Sequence, residues 1–225
     1  MPLLLYEQLV VGALAMSIPI YPILSGLSGL LPIAAGIYVL RLLRGEMAVL
    51  FLYSVVAMIA DALLFVLAIR GVNNLWLIHI FTPIQYGFLL WVLSGRSQPP
   101  VKKALRLTIP FFAGFWVIAV ALIEQTRQFN TISGSIKATL LVLAAIYILF
   151  EINRQGAASL LKDPFFWIAS AVLLYFGATV LVYALSNVLL NISNKALRLA
   201  FSFKSIIDIV ANFLYAGGFL CLRRR

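Results

Sequence analysis

Two aspartates, a lysine and the only histidine of this 225-residue chain stand inside apolar stretches long enough to cross a bilayer; they are Asp61, Asp208, Lys204 and His79. A charge at mid-bilayer costs ~3 kcal/mol or more, so such residues gather round a site or compensate one another. Two carboxylates at matched depth suit a cationic or hydroxyl-bearing group, with Lys204 and His79 as donors. The same pair could serve as acid and base in an intramembrane hydrolase acting on lipid. A serine nucleophile would need His79 as its base, and no serine stands in a G-x-S-x-G elbow. His79, Asp61 and Asp208 offer zinc a single nitrogen ligand, and Cys221 is the lone cysteine, so no metal is expected. Neither a phosphate-binding loop nor a dinucleotide fingerprint is present, so no cofactor is expected either. An enzyme is therefore the less favoured class.

Helical periodicity widens each of these residues into a stripe. In LAFSFKSIIDIVANFLYAGGFL, Lys204, Asp208, Asn212 and Tyr215 fall within about 80° of arc, with Ser205 just beyond. Tyr175, Thr179, Tyr183 and Ser186 share a similar arc one segment earlier. In NNLWLIHIFTPIQYGFLLW (73–91), His79, Thr82 and Tyr86 lie within about 60°, and Gln85 about 60° further round. Asp61 shares a face with Ser54. Each of these groups needs a partner in hydrocarbon, so segment 73–91 should sit inside a bundle rather than against lipid.

Counted from one end of their segments, Asp61 and Asp208 lie about 12–14 Å deep, and Lys204 and His79 about 7–8 Å. The expected result is a water-accessible, outward-facing polar cavity between the second, third, sixth and seventh spans, lined by Asp61, His79, Thr82, Gln85, Tyr86, Thr179, Tyr183, Lys204, Asp208 and Asn212. The opposite halves look drier, which argues against a continuous pore. The bland alternative is mutual compensation: Lys204 with Asp208 one turn away, and Asp61 with His79.

The elements that must hold these residues are membrane spans. The chain is 64% hydrophobic with a mean hydropathy of +1.07, far above what a soluble exterior tolerates. Seven candidate spans run at about 20–40, 47–69, 74–94, 105–123, 131–150, 165–187 and 199–221. The net charge of +10 could suggest nucleic acid, but Lys and Arg fall in the short gaps between spans, where they act as topology signals. Eleven of the seventeen share one side, among them Arg41, Arg44, Arg96, Lys102, Lys103, Arg106, Arg154, Lys162 and the terminal Arg223–Arg225. The positive-inside rule puts that side in the cytoplasm and the N-terminus outside.

The first span carries Ser25, Gly29 and Ala35, small residues suited to a helix contact, and Pro32, which should kink it. Residues 1–17 are apolar but short for a span and read as an interfacial or re-entrant segment, or as a mis-assigned start before Met16. Residues 18–225 then form the seven-helix domain.

Seven helices with a lysine in the last invite comparison with retinal proteins. Lys204 lies near its span's end, however, its acidic neighbour follows it, and the pocket lacks a tryptophan lining. NNLWLIHIFTPIQ and FKSIIDIVANFLYAGGFL resemble a pattern in uncharacterised bacterial seven-helix membrane proteins, some similar to the sensor regions of histidine kinases. In that pattern acidic residues stand near Asp61 and Gln85; here the second is an amide. The resemblance implies sensing in a bacterial cytoplasmic membrane. The expectation is an all-α receptor-like protein that binds a small ligand, its partners being the bilayer, that ligand and a separate cytoplasmic effector at the basic loops. A small-solute or proton-coupled transporter is the alternative.

Overall fold

In the computed structural model, residues 20–156 and 160–224 are described; the reading of 1–17 lies outside them. Among the described residues eight α-helices run α1 Ile20–Ser28, α2 Leu30–Tyr38, α3 Glu46–Ile69, α4 Leu75–Ser94, α5 Pro99–Leu122, α6 Thr131–Arg154, α7 Pro164–Ile192 and α8 Asn194–Leu220, with no strand. Helices α1 and α2 form one span broken at Gly29. The cause is Pro32: it has no N–H to give the Ser28 carbonyl, and its ring crowds that same carbonyl. The seven resulting spans are each long and apolar enough to cross a membrane.

Local chemistry sets the ends. Gly45 and Gly71 take positive φ (52° and 67°) where the chain leaves one helix for the next, a conformation costly for any side chain. Asp163 accepts from the Phe165 amide at 2.9 Å and Pro164 opens α7, a favourable start because the missing N–H has no helical partner there. Ser193, extended between α7 and α8, accepts from the Ala196 amide. The stretch NISNKALR, expected as a gap, is thus almost wholly helical. At 29 residues α7 is about 43 Å long, more than the apolar slab alone and close to the full bilayer with headgroups.

The spans close a ring: α3 lies beside α4, α4 beside α6, α6 beside α7, α7 beside α8, and α8 against α1 and α2, while α5 packs outside on α4. Glycines allow two of the tightest approaches. A Cβ on Gly36 would stand 2.3 Å from the Phe51 ring, and one on Gly217 would stand 3.1 Å from Trp167. As expected for segment 73–91, α4 is enclosed, with half of its twenty residues buried. The outside of the bundle is apolar, with Phe111 70% and Leu181 67% exposed, the surface that lipid would cover.

The two ends differ. At the end carrying residues 39–45, 95–98, 155–156 and 160–163, Glu46 is paired with Lys102 at 3.0 Å and Arg106 at 3.3 Å, Arg96 with Asp163 at 3.2 Å, and Arg154 with Glu151 at 3.1 Å. Arg106 also lies over the Trp91 ring at 3.7 Å. Inward from these pairs, Leu50, Leu93, Ile148, Ile152 and Phe219 are wholly buried and fill the ring's centre.

Candidate functional site

Toward the other end, where the chain turns at 70–74, 123–130 and 193, the ring surrounds a partly open cavity of about 260 Å3. Helix α3 contributes Tyr53, Ser54 and Asp61; α4 contributes Thr82 and Gln85; α6 contributes Lys137. Tyr175 and Tyr183 come from α7, and Lys204, Asp208, Asn212 and Tyr215 from α8. Phe129 and Asn130, from the turn before α6, form its roof. The expected stripes thus meet around one space, with a further helix taking part.

Seven of the ten expected residues line it: Asp61, Thr82, Gln85, Tyr183, Lys204, Asp208 and Asn212. His79, Tyr86 and Thr179 do not. His79 and Tyr86 sit on the flank of their stripe that meets neighbouring structure, whereas Thr179 stands mid-stripe between Tyr175 and Tyr183 and its short side chain turns back to its own helix. Tyr86 turns to α5, where its hydroxyl meets Thr108 Oγ1 at 2.8 Å and its ring lies 4.3 Å from Phe112. Thr179 donates to the Tyr175 carbonyl of its own helix at 2.6 Å. His79 is 1% exposed and faces the 123–130 turn: Nε2 is 3.0 Å from the Gln128 carbonyl and Nδ1 is 3.8 Å from Glu124.

That turn is itself a built structure. Glu124 accepts from the amides of Ile132 and Ser133 at 2.8 Å each and from Ser133 Oγ at 2.6 Å, so it serves the open N–H groups of α6. Asn187 on α7 clasps Phe129, accepting from its amide at 3.2 Å and donating to its carbonyl at 3.1 Å. Asn130 donates to Thr82 Oγ1 at 2.5 Å. The roof is therefore tied to α4, α6 and α7.

The polar groups around the cavity divide into engaged and open. Ser25 on α1 donates to Asp208 Oδ2 at 2.5 Å, and Asn212 donates to Ser28 Oγ at 2.9 Å, so the small residues of the first span bind α8 by hydrogen bonds as well as by closeness. Lys137, 3% exposed, donates to Gln85 Oε1 at 2.7 Å, and Gln85 donates to the Tyr53 hydroxyl at 2.9 Å. Tyr175 and Tyr183 join hydroxyls at 3.1 Å. Lys204 Nζ lies 5.2 Å from the centre of the Tyr175 ring.

No hydrogen bond or ion pair joins Lys204 or Asp61 to another side chain among the described residues, and neither lysine is paired with either aspartate. Lys204 and Asp208 interact across the cavity without forming a close ion pair, and Asp61 forms none with His79. Asp208 turns to Ser25, and His79 turns away from the cavity.

Sequence reasoning missed Lys137 and Asn130. Lys137 is a single cation in an apolar span six residues past its start, and it reads as a topology charge unless one asks why it stands within the span at all. Asn130 reads as ordinary loop. No protein-family model, curated protein or solved structure matches the chain.

Proposed function

We propose that the chain is a receptor-like integral membrane protein that binds a small ligand in the cavity among α3, α4, α6, α7 and α8. The observation that carries this reading is that four charged side chains, Asp61, Lys137, Lys204 and Asp208, line one cavity, with neither Asp61 nor Lys204 hydrogen-bonded to another side chain among the described residues and Asp61 exposed at its edge. A chain that needed polar residues only to hold helices together would bring Lys204 and the aspartates into hydrogen-bonded pairs, because a close pair offsets more of the cost of a charge within the membrane. Leaving them open makes sense when a ligand completes them. A volume of about 260 Å3 is just under the ~300–1,000 Å3 common for small-molecule sites. In this reading the basic end lies in the cytoplasm of a bacterium and the cavity end faces outward. A cytoplasmic partner would then meet the basic loops, and α4 would carry the signal, since Pro83 removes the hydrogen bond to the His79 carbonyl and leaves a natural bend.

The transporter reading draws on one feature: a site near mid-membrane, shut on one side by packed apolar residues, is half of an alternating-access cycle. It requires a second, inward-open arrangement and uptake into proteoliposomes.

Native mass spectrometry of the gently purified protein, wild type beside Asp208→Asn, tests the binding reading. Asparagine can still accept from Ser25, so the variant should fold. A bound mass on the wild type that is missing from the variant is the expected result. A bare wild type whose variant differs only in stability would return the polar groups to a purely structural role.

A further inference from the structure

We propose that the cavity takes a small zwitterion, a molecule carrying one ammonium and one acid anion on a scaffold of on the order of ten non-hydrogen atoms. The size follows from about 260 Å3 at roughly 30 Å3 per water-sized group. The inference rests on the cavity being a binding site and names what binds.

The charge pattern points to this class. The lining holds two cations, Lys137 and Lys204, and two anions, Asp61 and Asp208. A balanced set would ordinarily collapse into ion pairs, and Lys204 and Asp208 have the one-turn spacing that favours it. They are instead held apart by separate attachments. Asp208 accepts from Ser25, Lys137 donates to Gln85, and Lys204 rests over the Tyr175 ring. Lys204 lies within electrostatic reach of Lys137 and of both aspartates, so charges of both signs face the same space.

Each charged group also has bonding capacity to spare. Lys204 has all three donors, Lys137 has two beyond the one on Gln85, Asp61 has both oxygens and Asp208 has one. A lone amine would satisfy the aspartates and leave the lysines exposed to each other, while a lone acid would do the reverse. A zwitterion completes both poles at once, and the walls from Tyr53, Tyr175 and Tyr215 would cover the carbon chain between them.

The experiment uses the full chain in nanodiscs and isothermal titration calorimetry. The zwitterions are glycine, γ-aminobutyrate, ε-aminocaproate and phosphoethanolamine; n-butylamine and butyrate carry one charge each. At least one zwitterion should bind about tenfold or more tightly than either single-charge probe, and Lys204→Met and Asp61→Asn should each weaken it by a similar factor. Phosphoethanolamine against the amino acids tells which acid the lysines prefer. Butylamine binding as well as every zwitterion, unaffected by Lys204→Met, would overturn the zwitterion class and leave the binding cavity standing. Silence from every probe would also overturn it, and the mass spectrum of the wild type then decides the cavity on its own. The wild-type series needs no variant to fold.

Discussion

Lys137 is the side chain whose replacement best separates a functional charge from a structural one. It is nearly inaccessible, touches one amide oxygen and lies 5.3 Å from the Tyr183 ring centre. Lys137→Met removes the donor on Gln85 Oε1 and strands that buried acceptor, at a cost of about 1–3 kcal/mol. The substitution is expected to lower the thermal midpoint in detergent accordingly and to weaken ligand affinity about tenfold. An affinity left unchanged would mark Lys137 as structural. Glu124 is the opposite case. Its carboxylate accepts three hydrogen bonds at the start of α6, so Glu124→Ala should cost about 2–3 kcal/mol by differential scanning fluorimetry, with Glu124→Gln milder because it keeps an acceptor.

At the scale of elements, the close approaches between helices carry the sharper expectations. Gly36→Leu drives a side chain into the Phe51 ring and should destabilise by about 1–3 kcal/mol, read as a lower midpoint in the same assay. The spans were legible because a run of ~20 apolar residues is too long for most buried core helices and matches the thickness of a bilayer. The bounds of α3, α4 and α6 lie close to the expected ones. The ends of α7 and α8 were not legible, since NISNKALR is polar enough to read as loop, whereas polar residues are equally at home where a helix projects among headgroups. The cavity was half legible. Stripe positions pointed to Asp61, Lys204 and Asp208, which line the cavity, but helical phase alone cannot say which flank of a stripe meets a neighbour, as for His79 and Tyr86, nor that a short hydroxyl such as Thr179 bonds its own backbone. Long-range pairings such as Ser25 with Asp208 join residues 183 positions apart, and nothing local announces them.

For the whole molecule, the distribution of charge is a statement about direction. The ion-paired end collects most of the basic residues, and the cavity end keeps few. With Cys221 replaced by alanine, a single cysteine at Arg127 should react with a membrane-impermeant maleimide added to intact cells, and one at Arg41 should react only after lysis. The reverse pattern would invert the orientation and put the cavity on the cytoplasmic side. Hydrogen exchange should divide the same way, with the end locked by Glu46, Asp163 and Glu151 opening more slowly than the 123–130 turn.

The clasp of Asn187 on both main-chain groups of Phe129 bears on time rather than affinity. If the proposed ligand enters past this turn, its residence would be set in part by the two bonds of the Asn187 amide to the Phe129 main chain and the Asn130 bond beside them. Asn187→Ala should accelerate arrival and departure together and leave the dissociation constant nearly where it was.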